Sequence, residues 1–142
     1  MPFVRISMMR GKPEGYIRAI ADGLHRALVA EFDVPEHDRF QIIHQHEQGD
    51  LIFDPDYLAG PRTEDFILVA VTAGRQRTTE MRRAFFKRVA EELEQNPGLD
   101  PANVMIVINT TQPDEWSFGD GIAQMASSDR REKITEACDG QA

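Results

Sequence analysis

A proline directly follows the first methionine, in the opening Met1-Pro2-Phe3-Val4. Proline has no backbone N–H to give to a sheet, so it is a poor way to begin a buried strand, although the first position of a strand tolerates it. One reading is an accident of the start codon. The sharper reading is that the proline nitrogen itself is wanted. Removal of Met1, which a small second residue permits, would leave Pro2 as a secondary amine. An α-amino group titrates near about 8, against about 10 for a lysine. Such an amine can serve as base, acid or carbonyl-trapping nucleophile at neutral pH.

A second set of reactive groups is cationic. Arg75 and Arg77, in Gly74-Arg75-Gln76-Arg77-Thr78, follow a dense apolar run and precede a helix start. Loops at the C-terminal ends of strands are where α/β sheets place ligand groups. Two forked guanidiniums can hold a carboxylate by paired, charge-assisted hydrogen bonds. Taken alone, loop arginines are more often solvated or paired with acids, here Asp38 or Glu80. His25, His37, His44 and His46 form no recognised metal pattern with a cysteine. His44 and His46 sit two apart on a predicted strand and face the same side, where a solvated strand face is a better account than a metal pair. There is no Walker-type phosphate loop and no GxGxxG. No metal site is expected.

These groups need elements to hold them. Phe3 to Met8 alternates apolar and polar residues and predicts a strand. Pro13 and Glu14 suit a helix start, and Tyr16, Ile20, Leu24 and Leu28 recur every fourth position to make one apolar helical face that ends near Phe32, before Val34-Pro35. Phe40 to His44 predicts a short strand. Asp50 to Arg62 holds Asp54-Pro55, Gly60 and Pro61 and reads as turn and loop, with a short strand at Leu51 to Phe53. Phe66 to Thr72 predicts a buried strand. Thr78 can cap a second helix, with Glu80 in its first turn and an apolar face of Met81, Phe85, Val89 and Leu93, stopped by Asn96-Pro97-Gly98. Val104 to Ile108 predicts another buried strand. Beyond Asn109 the chain is turn-rich, with a polar tail.

The two halves match at a shift of 65 positions. Phe3, Val4, Ile6 and Ser7 fall on Leu68, Val69, Val71 and Thr72, and the apolar helical positions from Tyr16 to Leu28 fall on Met81, Phe85, Val89 and Leu93. Arg10 and Lys12 fall on Arg75 and Arg77. The fold class is therefore α/β (α+β): a tandem β-α-β repeat, each unit a parallel strand pair with a crossover helix. The halves span about 2–48 and 64–110 of a single domain over 1–125, and 126–142 is the tail. Such a repeat covers one sheet face with two helices and leaves the other face in need of a partner, which predicts an oligomer.

Composition narrows the partners. With 142 residues, 41% hydrophobic and 28% charged, the chain can bury a core in one soluble domain. A net charge of −8 argues against nucleic acid, which needs a basic surface. No apolar stretch approaches a membrane span, and Arg5 and Arg10 interrupt the only apolar segment at the start, so no signal peptide is read. Cys138 is alone. A cytoplasmic location is expected.

The Met-Pro start, the tandem units and the arginines after the second unit's first strand resemble the tautomerase superfamily. Within it, VPEHDRFQ (Val34 to Gln41), GRQRT (Gly74 to Thr78) and EWSFGDG (Glu115 to Gly121) resemble the malonate semialdehyde decarboxylase-like branch. The likeness runs over most of Pro2 to about Met125. Thr78 and Arg82 stand where Ser and Lys are expected. The resemblance implies a four-stranded mixed sheet with two helices on one face, a homotrimer, a small carboxylate substrate and no cofactor. It makes Pro2 the catalytic amine and Asp38 its acidic partner, which tunes it or positions water. Arg75 and Arg77 would bind the substrate carboxylate, and Trp116 and Phe118 would wall the pocket, one subunit completing its neighbour's site. His25 stands where the related cis-chloroacrylate dehalogenases use a histidine, and ranks as a secondary substrate-binding residue.

Three functions are expected in order. The first is a lyase decarboxylating a small 3-oxo acid such as malonate semialdehyde, with hydratase activity as a companion. The second is a tautomerase acting on 2-oxo acids of the phenylpyruvate type. The third is a non-catalytic trimeric binding protein. A cationic Pro2 favours the first, a neutral one the second, and a retained Met1 the third.

Overall fold

The structure, a computed structural model, describes residues 1–126. Cys138 and the tail from 127 lie outside the described residues. The chain order is β1 (Pro2–Met9), α1 (Glu14–Glu31), β2 (Gln41–His46), β3 (Ile67–Ala73), α2 (Thr79–Gln95) and β4 (Val104–Thr110), with short 3-10 turns at Pro101–Asn103 and Pro113–Glu115.

Local chemistry accounts for the ends of the helices. The Thr78 hydroxyl accepts the Met81 N–H at 3.1 Å, so the cap read from the sequence closes the first turn of α2. That helix stops where the Gly98 N–H donates back to the Leu93 carbonyl at 3.1 Å, with Gly98 at φ 92°, a conformation glycine adopts without strain. The last turn of α1 closes with the Phe32 N–H on the Leu28 carbonyl at 2.9 Å, and Asp33 at φ 52° turns the chain away.

The sheet order is β2-β1-β3-β4. The outer pairs are parallel and the central β1/β3 pair is antiparallel. The internal repeat holds residue by residue. Val4 lies opposite Gln41, and adding 65 to both gives Val69 opposite Ile106, which is the observed register of β3 and β4. Val4 also lies opposite Val71, and the same shift exchanges that pair for Val69 opposite Ile6, again observed. The tandem β-α-β architecture of the four-stranded mixed sheet is thus present in hydrogen-bond register.

Both helices cover one sheet face. Val4, Ile6 and Met8 of β1 and Val69 and Val71 of β3 point into a core completed by Leu24, Leu28, Val89 and Leu93. Between the helices Phe32 and Phe85 pack with ring centroids 4.5 Å apart, both fully buried. Where the helices meet at Gly23, a Cβ would fall 2.9 Å from the Leu93 Cδ2, so glycine permits the close approach. Phe85→Ala removes the central ring and should cost about 3–5 kcal/mol of stability. A urea midpoint equal to wild type would show that this contact is not central to the core.

Two expectations are corrected here. No strand forms at Leu51 to Phe53. The Asp54 carboxylate accepts the N–H groups of Asp56 and Tyr57, each at 2.8 Å, and this side-chain turn competes with any sheet pairing. Phe53 instead stacks on Phe66, centroids 4.4 Å apart. Val104 to Ile108 is not buried on both faces: β4 is an edge strand. Val104, Ile106 and Ile108 pack on the core, whereas Met105 and Val107 are 48% and 49% exposed on the uncovered face, joined there by Ile42 at 40%.

Candidate functional site

The antiparallel pairing of β1 with β3 sets Pro2 opposite Ala73, so the start of β1 meets the loop that leaves β3. The residues around this end are Pro2, Asp38, Arg75, Arg77 and Trp116.

Asp38 arrives from the first unit's connection. Its segment is fixed from several sides. The Asp38 N–H donates to the Pro35 carbonyl at 3.0 Å, and the Val4 N–H donates to the Phe40 carbonyl at 3.0 Å. Arg39 reaches Asp22 of α1 at 2.6 Å. His25, buried on α1, donates from Nε2 to the Glu36 carbonyl at 2.7 Å. His25 therefore braces the turn that carries Asp38, and this bond is what its ring is committed to. The Asp38 carboxylate in turn receives the chain's α-ammonium: the Met1 nitrogen lies 2.6 Å from Oδ2. Met1 and Pro2 are both buried.

The two arginines are not equivalent. Arg77 is 5% exposed. Its Nη2 donates to the Phe32 carbonyl at 2.8 Å and its Nη1 to the Arg75 carbonyl at 3.0 Å, and its guanidinium lies 4.9 Å from the centre of the Phe32 ring. The carbonyl at the end of α1 carries the helix's partial negative charge, which suits a cation. Burial, then the charge of Arg75, push the Arg77 guanidinium down to about 10, with Asp33 and Asp38 opposing. Its buried Nε has no hydrogen-bond partner among the described residues. Arg75 is looser. Its Nη2 is 3.5 Å from the Phe32 carbonyl and 3.8 Å from Asp33, and its side chain is half-exposed. The fork of Arg75 is free to turn toward a ligand, and that of Arg77 is largely spent on backbone.

Aromatic residues wall the same end. Trp116 donates from Nε1 to the Thr111 hydroxyl at 2.6 Å, and that hydroxyl donates to the Ala73 carbonyl at 3.1 Å. The indole is thereby tied to the residue opposite Pro2. Trp116 and Phe118 stack with centroids 5.7 Å apart, and Phe40 continues the row at 5.8 Å from Phe118. Gln124 is buried and holds the loop in shape, accepting the Phe118 N–H and donating to the Gly119 carbonyl, each at 2.9 Å. Phe40 and Gln124 were missed in the sequence. Phe40 had a signal, since it follows Asp38 and Arg39 directly at the mouth of β2. Gln124 had none, because its partners are backbone groups.

His44 and His46 lie away from this cluster, on the uncovered sheet face, ring centroids 6.3 Å apart, with Arg5 within 3.4 Å of His44. No group of three or more metal-ligating side chains occurs among the described residues. No helix among them is long and apolar enough to cross a membrane.

The chain matches two family models described as tautomerase enzymes, over residues 38–119 and 2–60. It is 35% identical over 125 residues to "Probable tautomerase YusQ" of Bacillus subtilis, covering 88% of this chain and 98% of that protein. Among solved structures, a malonate semialdehyde decarboxylase studied in wild-type, mutant and inactivated forms superposes with a TM-score of 0.84 at 28% identity, over 89% of this chain and 98% of that one. The FG41 malonate semialdehyde decarboxylase inhibited by 3-bromopropiolate gives 0.83 at 32% identity, over 89% and 95%.

Proposed function

Because the chain belongs to the tautomerase superfamily of enzymes, in its malonate semialdehyde decarboxylase-like branch, we propose that it is a cofactor-independent lyase that decarboxylates a small 3-oxo acid such as malonate semialdehyde, with the amine of Pro2 at the reacting centre. One observation carries the reading: the β1/β3 ladder sets the start of β1 between the Asp38 carboxylate and the Arg75–Arg77 loop.

The chemistry follows from those groups. With Met1 removed, Asp38 faces the Pro2 amine, and an adjacent carboxylate favours its cation. Arg75 takes the substrate carboxylate in its free fork, and the buried charge of Arg77 lies behind it. Trp116, Phe118 and Phe40 keep water from the bound acid. The cationic amine can donate a hydrogen bond to the carbonyl oxygen, which gains negative charge as CO₂ leaves. In the covalent route the amine first gives a proton to Asp38 and adds to the carbonyl carbon. That proton and the remaining amine proton go to the oxygen, which departs as water and leaves an iminium. The C–C bond electrons then flow to nitrogen as CO₂ leaves. The resulting enamine takes a proton on carbon, and water releases the aldehyde and the amine.

The assay is Met1-free protein, confirmed by intact mass, given malonate semialdehyde. Acetaldehyde and CO₂ are expected, and turnover of 2-oxo acids alone would overturn the lyase reading. The Bacillus subtilis relative is named a probable tautomerase, which favours that second reading; on a 2-oxo acid a neutral Pro2 would take a proton from carbon.

Assembly belongs to the same proposal. Ile42, Met105 and Val107 stay exposed on the uncovered sheet face and call for a partner surface. Sedimentation equilibrium should give three times the 16.1 kDa chain mass. A stable monomer would remove any role for a neighbouring subunit in the aromatic wall.

A further inference from the structure

Gly74, the first residue after β3, has no backbone reason to be glycine, for it is absent from the residues with positive φ. It has a spatial one. A Cβ built there would fall 2.8 Å from the Met1 Cβ, 3.0 Å from its Sδ and 2.6 Å from its Cε. Residues opposite one another in a regular antiparallel ladder keep their Cβ atoms about 4.5–5.5 Å apart, so whatever sits ahead of Pro2 presses unusually close on this position. The Gly74 N–H is also committed there: it donates to the Met1 carbonyl oxygen at 2.8 Å.

That carbonyl is informative because its carbon is bonded to the Pro2 nitrogen. Its oxygen marks where a carbonyl oxygen lies when a carbonyl carbon is held against that nitrogen. Its α-substituent, the Met1 ammonium, reaches Asp38 at 2.6 Å, and the Met1 side chain fills the space over Gly74. The Met1 residue is thus a covalent stand-in for a carbonyl substrate. Once it is gone, the Gly74 N–H loses its acceptor and is open to water or to a ligand's oxygen.

We infer that Gly74 is the residue that receives the substrate's reacting carbonyl: its backbone N–H donates to the carbonyl oxygen, and its missing side chain leaves room for the acyl group beside Pro2. The inference rests on the proposed function and adds to it a binding element and a size limit. Substrates with a bulky substituent next to the carbonyl meet the Gly74 backbone first, so small unbranched oxo acids are the class that fits.

The test uses Met1-free protein verified by mass and labelled with ¹⁵N-glycine. The Gly74 amide should exchange with solvent faster than in protein retaining Met1, and saturating acetoacetate should slow it again. Gly74→Ala should keep the wild-type melting temperature, raise KM and lower kcat/KM by about tenfold or more through the crowding a new Cβ brings. Its loss should be larger for a 2-methyl-substituted 3-oxo acid than for the unsubstituted one. If wild type turns over oxo acids while the Gly74 amide ignores acetoacetate and Gly74→Ala matches wild type on both substrates, the assignment falls and the proposed function stands. If Met1-free wild type neither binds nor turns over any oxo acid, both fall.

Discussion

Protein that keeps Met1 is expected to be slower by about a hundred- to ten-thousandfold than protein that has lost it, the range associated with removing a general acid or base. Three effects act together. The Pro2 nitrogen becomes an amide, neither basic nor nucleophilic. The Met1 ammonium takes up the Asp38 carboxylate at 2.6 Å. The Met1 side chain is buried against Gly74. Expression with and without methionine aminopeptidase gives the two forms, which intact mass tells apart. Pro2→Ala, freed of Met1, keeps a primary amine and should retain partial activity. Borohydride added during turnover should trap an adduct on the N-terminal peptide if the iminium route operates, and its absence would reject that route alone. Full activity in protein shown to carry Met1 would reject the amine, and with it the enzymatic reading of this site.

The second large effect separates the two arginines. Arg75→Ala should cost about 2–4 kcal/mol of transition-state binding, or roughly two orders of magnitude in kcat/KM, because a charge-assisted fork to the carboxylate is lost. Its stability should barely change, since Arg75 is half-exposed and its protein contacts are long. Arg77→Ala should lose activity and also destabilise the fold by about 1–3 kcal/mol, the cost of leaving the buried Phe32 carbonyl without its donor. Arg75→Lys keeps the charge but not the planar fork and should recover only part of the loss. Kinetics and thermal melting on the same three variants decide the matter. An Arg75→Ala enzyme with wild-type kcat/KM would make that residue a surface charge, and an Arg77→Ala protein with unaltered melting would undo the distinction between them.

How much of this was legible in sequence depends on the range of the interaction concerned. Period-two and period-four apolar patterns are local, and they located β1, α1, β3 and α2 within a residue or two. The 65-residue shift was legible because a repeat compares residue types and needs no contacts. The segment from Leu51 to Phe53 looked like a strand because it is apolar, but Ile52 points into solvent and the Asp54 turn decides the local path. The exposure of β4 could not be read, because an edge strand and an inner one can share the same apolar run. The difference between Arg75 and Arg77 is the most distant of these. It is set by the carbonyl of Phe32, which is 45 positions from Arg77 in the chain. The contact of His25 has the same character: its bond to the Glu36 carbonyl braces the Asp38 turn, and no spacing encodes it.

The duplicated register has a stoichiometric consequence. The two-fold relation that carries Pro2 to Ile67 also carries Arg75 and Arg77 back to Arg10 and Lys12, at the far end of the sheet. There the cations are already matched: Arg10 meets Glu47 at 2.7 Å and Lys12 meets Asp65. Ile67 lies inside the chain, where its nitrogen is an amide and takes its place in the sheet. Of the two pseudo-equivalent positions, Pro2 and Ile67, only Pro2 can present an amine, and the cations at the other end are paired with acids. An inactivator that alkylates the amine should stop at one equivalent per chain and not two.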